Sequence, residues 1–272
     1  MKKKRIIHLV LFRNGYVVQS RNFSNYRSLG LLDGTLERLE DWAADEVIVL
    51  NISNSAEPSI GRGDLATKIE VDFISTLKKH SLRNSMPLTV GGGIKSIRDS
   101  DVIFQSGADK IYLNTLINQD PNTVVEMAEK YGSQAIVGGI DVRWVNHAPV
   151  AYYLNGNITI EKDIKQLIDH YISLGIGEIM VNSIDRDGMK NGFDEDILEY
   201  LPLSALPITL CGGAGNPNHF VEPLKSLKID GVVAGNYFQH VENSVPLVRD
   251  HLLTLGLPVR KVVRLKFNQG EF

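Results

Sequence analysis

The residues best suited to chemistry form an unequal pair at the ends of two matching apolar segments. Ile140-Asp141-Val142 closes one apolar run with a carboxylate, whereas the matching run, Arg5 to Leu11, ends in a leucine. Because the sequence repeats around both segments, we expect both ends to face one cavity. A carboxylate there can act as general acid or base, although it can equally cap a turn or pair with Arg143. Asp141 is therefore a candidate catalytic residue without an evident acidic partner.

Two glycine-rich turns have the composition of phosphate-binding sites. Gly91-Gly92-Gly93 and Gly212-Gly213-Ala214-Gly215 lead into predicted helices, and the neighbouring predicted strands end in Asn114-Thr115 and Gly235-Asn236. Such turns point backbone N–H groups and a helix N-terminus at an anion. One such turn alone would be explained as tight chain reversal. Two at half-chain spacing favour two phosphate sites and an elongated bisphosphate ligand, with Asp187-Gly188 as either a simple turn or a ligand-binding loop.

Four charged residues stand at the starts of apolar runs, at the pole opposite these sites. They are Arg5, Glu46, Lys110 and Glu178. Two acids and two bases at the bottom of a closed sheet can form a ring of salt bridges. The ordinary interpretation is a contribution to stability, and a gate on a path through the sheet is the alternative.

An internal repeat determines which elements must position these residues. Pro87 to Ile94 recurs as Pro207 to Ala214, and Asp45 to Leu50 recurs as Gly177 to Asn182, in each case roughly half the chain apart. Each unit is an apolar, mostly β-branched run, then a polar or glycine-rich turn, then an amphipathic stretch. Helices are predicted over residues 67–80, 97–107, 122–131, 160–174 and 220–227.

Eight buried strands alternate with these helices. The strands are predicted to start near Arg5, Glu46, Leu88, Lys110, Gln134, Glu178, Ile208 and Gly231. Continuous apolar strands separated by helices indicate a parallel sheet that is covered on both faces. Eight such units predict an α/β fold, a (β/α)8 TIM barrel with an internal two-fold (half-barrel) repeat, rather than an open doubly wound sheet.

Composition limits the possible classes of protein. With 272 residues and 43% hydrophobic content, the chain can form one core, and we predict a single domain over residues 1–272 without metal or cofactor. The net charge of −3 argues against nucleic-acid binding. No apolar run is long enough for a membrane span, and the basic N-terminus does not continue as a signal peptide. The one cysteine, Cys211, excludes an internal disulfide and suits the cytoplasm.

Several of these motifs together resemble the HisF family, the cyclase subunit of imidazole glycerol phosphate synthase. The resemblance extends from Arg5 to about Arg260. It rests on the motifs Pro87-Leu88-Thr89-Val90-Gly91-Gly92-Gly93-Ile94, Gly107-Ala108-Asp109-Lys110, Tyr131-Gly132-Ser133-Gln134, Ser183-Ile184-Asp185-Arg186-Asp187-Gly188 and Cys211-Gly212-Gly213-Ala214-Gly215.

The resemblance implies roles for residues that the pattern alone leaves open. One phosphate site would be formed by Gly93, Asn114 and Thr115. The other would be formed by Asp187, Gly188, Gly213, Gly235 and Asn236. The resemblance also implies that the four charged residues gate ammonia, which would enter from a HisH-like glutaminase partner in a heterodimer. These residues are Arg5, Glu46, Lys110 and Glu178.

The chain departs from the family at the chemical end of the barrel. The family has an aspartate at the ends of strands one and five, and only the second is kept, because position 11 is Leu11. The aspartate that ends strand two is Asn51, and a lysine of the first loop is Gln19. A threonine and a serine are replaced by Asn182 and Cys211. Because leucine cannot transfer a proton, the paired acid–base mechanism of the cyclase is not available in that form.

With this selective loss, the chain resembles the HisF-like proteins of bacterial surface-polysaccharide (lipopolysaccharide) biosynthesis. There, such a barrel works with a glutaminase and a third, ATP-dependent amidotransferase to convert an acetamido group of a sugar into an acetamidino group. The interpretation predicts a phosphorylated or nucleotide-linked sugar as substrate. One alternative is a histidine-biosynthesis cyclase, against which Leu11 argues. Another is a catalytically inactive barrel that activates a glutaminase, against which phosphate binding would argue.

Overall fold

Strands and helices alternate along the chain of this computed structural model, which describes residues 2–53, 73–82 and 86–262. The strands are β1 (Arg5–Arg13), β2 (Tyr16–Arg21), β3 (Asn25–Gly30), β4 (Glu46–Asn51), β5 (Leu88–Gly91), β6 (Lys110–Leu113), β7 (Ile136–Val145), β8 (Ala148–Tyr153), β9 (Ile158–Thr159), β10 (Glu178–Ser183), β11 (Ile208–Cys211) and β12 (Gly231–Ala234). The helices are α1 (Leu32–Asp41), α2 (residues 73–81), α3 (Ile97–Gln105), α4 (Thr115–Gln119), α5 (Pro121–Tyr131), α6 (Ile164–Ser173), α7 (Val221–Lys225), α8 (Asn236–His240) and α9 (Ser244–Thr254).

The barrel is formed by β1, β4, β5, β6, β7, β10, β11 and β12. Each of these strands is parallel to its neighbours, in the order β10-β11-β12-β1-β4-β5-β6-β7, and pairing of β7 with β10 closes the ring. The register of the closing pair places Asn182 opposite Asp141. The predicted (β/α)8 barrel is therefore confirmed. No helix among the described residues is both long and apolar enough to cross a membrane.

The strands carry apolar residues on both faces because the barrel has two cores. The inward face of β1 contributes Ile7 and Leu9 to a small cluster inside the barrel, whereas the outward face contributes Ile6 and Val10 to the larger core beneath the helices. The alternation follows from the two-residue period of a strand. Because both faces are buried, the strands appear in the sequence as continuous apolar runs.

The start of one strand and the start of one helix differ from the predictions. The fifth barrel strand begins at Ile136 rather than near Gln134, because Ser133–Ala135 form a 3-10 turn. Helix α6 begins at Ile164, later than the predicted position 160. There, the Asp163 side chain accepts a hydrogen bond from the backbone N–H of Gln166, and this N-cap sets the helix start. Part of the helix predicted over residues 67–80, namely residues 67–72, lies outside the described residues.

Two antiparallel hairpins extend the barrel at its C-terminal face. β2 and β3 follow β1, and β8 and β9 follow β7. The turns Asn14-Gly15 and Asn146-His147 have positive φ at both central residues, the type I′ geometry that matches strand twist. The prediction that Asp141 ends its strand is therefore wrong, since β7 continues to Val145. The hairpins follow the first strand of each half of the barrel, at equivalent places in the repeat.

Candidate active site at the barrel mouth

Asp141 is a buried carboxylate held by two amides. It is 6% exposed, and the Nδ2 groups of Asn182 and Asn114 donate to its Oδ1 and Oδ2, each at 3.1 Å. Burial raises the pKa of Asp141 to about 7; the two amides oppose this rise and the charge of Asp187 adds to it. At neutral pH both protonation states of Asp141 are therefore populated. A carboxyl group in this condition can either accept or donate a proton.

Arg143 does not neutralise Asp141, although the sequence left that pairing open. Its Nε lies 3.6 Å from Oδ1 of Asp185, and the backbone N–H of Trp144 donates to the other oxygen of Asp185 at 2.9 Å. Among the described residues, Asp141 has no ion pair. The geometry therefore leaves the carboxylate available at the mouth of the barrel.

The opposite side of the mouth is apolar. Leu11 and Leu50 pack on the inner cluster, which includes Leu9 and Cys211. Burial raises the pKa of the Cys211 thiol, so that it stays protonated. Asn51, the neighbour in β4, accepts a hydrogen bond from the backbone of residue 53. The described mouth therefore offers one carboxylate of the expected pair and a neutral opposite wall.

A pocket beside the mouth collects all the residues predicted for the second phosphate site. It is lined in part by Asp187, Gly188, Gly213, Gly235 and Asn236. Gly188 has φ of +72°, and a Cβ there would lie 2.5 Å from the backbone oxygen of Ser20. At Gly213 a Cβ would lie 2.0 Å from the backbone oxygen of Gly192. Glycine is therefore required for close backbone approach at both positions, while phosphate binding itself stays a prediction.

The hairpin after β1 closes over this pocket through Ser20. The Ser20 hydroxyl donates to Oδ2 of Asp187 at 2.6 Å, and Nδ2 of Asn236 donates to the Ser20 carbonyl at 2.6 Å. Burial raises the pKa of Asp187, and the Ser20 hydroxyl opposes this rise. No motif in the sequence singles out Ser20. The available signal was the Asn14-Gly15 turn, which predicts a hairpin at this place.

The other predicted phosphate ligands do not line this pocket. Gly93 has φ of +73° with open space around it, and Thr115 begins the short helix α4. The side-chain amide of Asn114 donates to Asp141 and also to the Gly139 carbonyl, at 3.3 Å. In the structure, Asn114 is therefore a neighbour of the candidate catalytic carboxylate. Its role as a phosphate ligand stays a prediction.

Four charged side chains close the opposite end of the barrel in a ring. Arg5 lies 2.9 Å from Glu46 and 2.6 Å from Glu178, and Lys110 lies 3.0 Å and 2.8 Å from the same two carboxylates. Burial alone would raise the pKa of Glu178, but Arg5 and Lys110 outweigh it and lower that pKa. The pKa values of both bases are raised. Arg5, Lys110 and Glu178 are therefore charged at neutral pH, while the gating role of the ring stays a prediction.

The chain is a (β/α)8 barrel, and the family described as "Histidine biosynthesis protein" matches its residues 5–243. The chain belongs, within that larger family, to the HisF family. It is 34% identical to the imidazole glycerol phosphate synthase subunit HisF of Sulfurisphaera tokodaii, 33% to that of Chlorobium limicola and 32% to that of Flavobacterium johnsoniae. Each alignment covers 96% of this chain and 100% of the relative.

Proposed function

We propose that this chain is the barrel subunit of a glutamine-dependent synthase. It receives ammonia from a HisH-like glutaminase at the charged end of the barrel and uses it at the Asp141 end. The proposal rests on the different features that lie at the two ends of the barrel. A closed ring of four charges lies at one end, and a buried carboxylate with a pKa near 7 lies at the other.

The interior between the two ends suits neutral ammonia. The apolar cluster inside the barrel is uncharged and consists of Ile7, Leu9, Ile48, Tyr112, Val137, Met180, Cys211 and Val233. Thr89 and Thr209, the buried polar residues of β5 and β11, are uncharged as well. Moving an unpaired ion into such surroundings is far more costly than moving a neutral molecule. Passage therefore requires ammonia rather than ammonium, and it requires the salt-bridge ring to open.

The names of the relatives support one acceptor more directly than any other. They are all imidazole glycerol phosphate synthase subunits, so the comparisons favour the cyclase reaction of histidine biosynthesis. The pocket around Asn236 would then bind one phosphate of a bisphosphate substrate, and Asp141 would transfer the proton. This reaction is the first to be tested.

Leu11 favours a second candidate, the amidation of a surface-polysaccharide sugar. Removing a general acid or base costs about 10²–10⁴-fold in rate, so the missing carboxylate at position 11 weighs against efficient cyclisation. In this second function the barrel delivers ammonia at the Asp141 end, where a sugar activated by a third, ATP-dependent amidotransferase accepts it. The acetamido oxygen of a phosphorylated or nucleotide-linked sugar first takes a phosphate-containing group from ATP. Ammonia then adds to the amide carbon, the oxygen leaves with that group, and the acetamido group becomes an acetamidino group.

Cyclase turnover with free ammonium at high pH separates the two candidates. The purified chain is given the bisphosphate substrate of the family, and the HisF subunit of Flavobacterium johnsoniae is the positive control. Turnover at a comparable rate establishes the cyclase and shows that Leu11 is tolerated. Absence of product from a folded chain that still binds a glutaminase refutes the cyclase.

The amidation function and the inactive-scaffold alternative need separate readouts. A strain that lacks the protein and still makes fully amidinated polysaccharide refutes the amidation function. A pure scaffold would stimulate the glutaminase equally well after Asp141→Asn and would bind no inorganic phosphate. Phosphate binding that Asn236→Ala weakens would contradict the scaffold.

A further inference from the structure

We propose that Tyr112 is the second polar group of the reaction centre, a positioning residue whose hydroxyl holds incoming ammonia beside Asp141. The inference rests on the proposed function, and it supplies a partner that Leu11 cannot. Tyr112 belongs to the inner cluster of the barrel and is 7% exposed. Its hydroxyl is a polar group among aliphatic residues, a methionine and a cysteine, whereas the buried hydroxyls of Thr89 and Thr209 donate to Glu46 and to the Ile179 carbonyl.

The space for the phenol is provided by a glycine on the next strand. A Cβ added to Gly139 would lie 1.9 Å from the Tyr112 hydroxyl and 2.3 Å from the ring carbon that bears it. Gly139 does not have a positive φ, so its backbone conformation is open to any residue. Glycine is therefore needed at position 139 for room and not for conformation. The overlap also places the hydroxyl directly against Gly139.

Gly139 lies below the candidate catalytic carboxylate, on the side of the charged ring. Gly139 and Asp141 are two residues apart on β7 and face the same way, so Asp141 stands about 7 Å further along the barrel. Asn114 connects the two levels, since its side-chain amide donates to the Gly139 carbonyl and to Asp141. Ammonia that rises from the charged ring therefore meets the Tyr112 hydroxyl before it reaches Asp141.

The phenol remains protonated in this site. Burial raises the pKa of Tyr112 well above its ordinary value, the charge of Asp141 adds to this, and Asn114 opposes it. A neutral phenol donates one hydrogen bond and accepts others, so it can hold ammonia without taking its proton. The nitrogen lone pair then forms a bond to an electrophilic carbon of the acceptor, whose π electrons move to the attached heteroatom. The excess proton passes from nitrogen to the Asp141 carboxylate, and Tyr112 is unchanged.

The Tyr112→Phe variant tests this role, with Tyr171→Phe as the matched control. Phenylalanine keeps the ring and removes the hydroxyl. Tyr171 is also fully buried against Gly139, but it lies on the outer side of the barrel, and its hydroxyl donates to the Gly139 carbonyl at 3.2 Å. Each variant is assayed with free ammonium in whichever of the two reactions the wild-type chain performs, and its melting temperature is recorded.

We expect Tyr112→Phe to lower kcat about 10-fold with KM for the acceptor nearly unchanged, because the hydroxyl acts on the nucleophile. Tyr171→Phe should leave kcat within about twofold of wild type. Equal effects of the two variants, or a Tyr112→Phe rate close to wild type, would overturn the proposal.

A titration without acceptor keeps this test separate from the proposed function. Carboxyl-carbon NMR reports the pKa of Asp141 in the intact chain. The proposal expects Tyr112→Phe to raise that pKa, because the loss of the hydroxyl makes the surroundings of the buried carboxylate more apolar, and Tyr171→Phe to leave it unchanged. An unchanged pKa in Tyr112→Phe refutes the pairing even if the chain is active. Inactivity of the wild-type chain in both reactions would refute the proposed function, while a raised pKa would still support the pairing.

Discussion

Replacement of Lys110 by methionine isolates the electrostatic contribution of the ring at the bottom of the barrel. Lys110 Nζ lies 3.0 Å from Glu46 and 2.8 Å from Glu178, and the side chains of these two acids are only 5% and 8% exposed. Methionine keeps most of the aliphatic stem and removes the charge. Breaking a buried ion pair from one side costs about 3–5 kcal/mol. Because Arg5 still contacts both carboxylates, we expect the lower end, about 3 kcal/mol.

Urea unfolding measures this cost against a matched control. Lys130 forms one ion pair with Asp101 at 2.7 Å, and the side chains of both residues are well exposed. Lys130→Met should therefore have little effect on the free energy of unfolding, because solvent screens an exposed pair. The double variant Lys110→Met/Glu46→Gln leaves one base and one acid in the ring and should recover part of the loss. If Lys110→Met is no more destabilising than Lys130→Met, the ring is not an electrostatic unit and the reasoning is wrong.

The same variant should change the dependence of stability on pH. The pKa of Glu178 is lowered in the folded chain, partly by Lys110. A carboxyl group whose folded pKa lies below its unfolded value adds stability above the unfolded pKa, about 4.3 for glutamate, and this is lost as pH falls through the folded pKa. Without Lys110 the folded pKa rises, so the contribution shrinks and is lost at a higher pH. Identical pH profiles of unfolding free energy for wild type and variant would contradict this.

Three further predictions concern the mouth and the barrel wall. Asp141→Asn should lower turnover about 10²–10⁴-fold and abolish the rise in wild-type rate around pH 7 that deprotonation of this base produces; a persisting rise would exclude Asp141 as the base. Ser20→Ala removes the hydroxyl that donates to Asp187, and calorimetry should show inorganic phosphate binding weakened about 3–10-fold; unchanged affinity would separate the hairpin from the pocket. Gly139→Ala should cost about 1–3 kcal/mol in urea unfolding, because the added methyl overlaps the adjacent phenol. Gly34→Ala, in helix α1 with open space around it, should stabilise the chain by about 0.5–1 kcal/mol. If both alanine variants change the free energy of unfolding in the same direction, the packing argument is refuted.

The barrel was predictable because its strands are buried on both faces and therefore appear as uninterrupted apolar runs. The predicted starts at Glu46, Lys110 and Glu178 coincide with the first residues of β4, β6 and β10. Charged residues at such starts meet at one end of a closed parallel sheet. The sequence could therefore predict the composition of the ring, but the four individual contacts depend on side-chain geometry.

The parts that were missed are those that local pattern does not determine. The hairpin after β1 has a signal in Asn14-Gly15, a strong type I′ turn sequence, but the alternation of strands and helices does not by itself predict a hairpin after a barrel strand. Tyr112 lies within an apolar segment, where an aromatic residue predicts packing and not a role in a site. Its position became apparent only from the overlap with Gly139 on the next strand. Contacts between strands depend on register, which one segment of sequence does not contain.

The leucine at position 11 does more than remove one acid, because it also changes the environment of the acid that remains. A second carboxylate at the mouth would couple to Asp141, and the two would titrate as a pair. With Leu11 and Leu50 forming the opposite wall, burial is instead the main influence on Asp141 and raises its pKa to about 7. A single group poised at neutral pH suits a reaction in which one proton leaves the nitrogen, such as amidation by ammonia. Leu11→Asp should therefore raise the pKa of Asp141 further by like-charge repulsion, and an unchanged pKa in that variant would show that the two positions do not share one cavity.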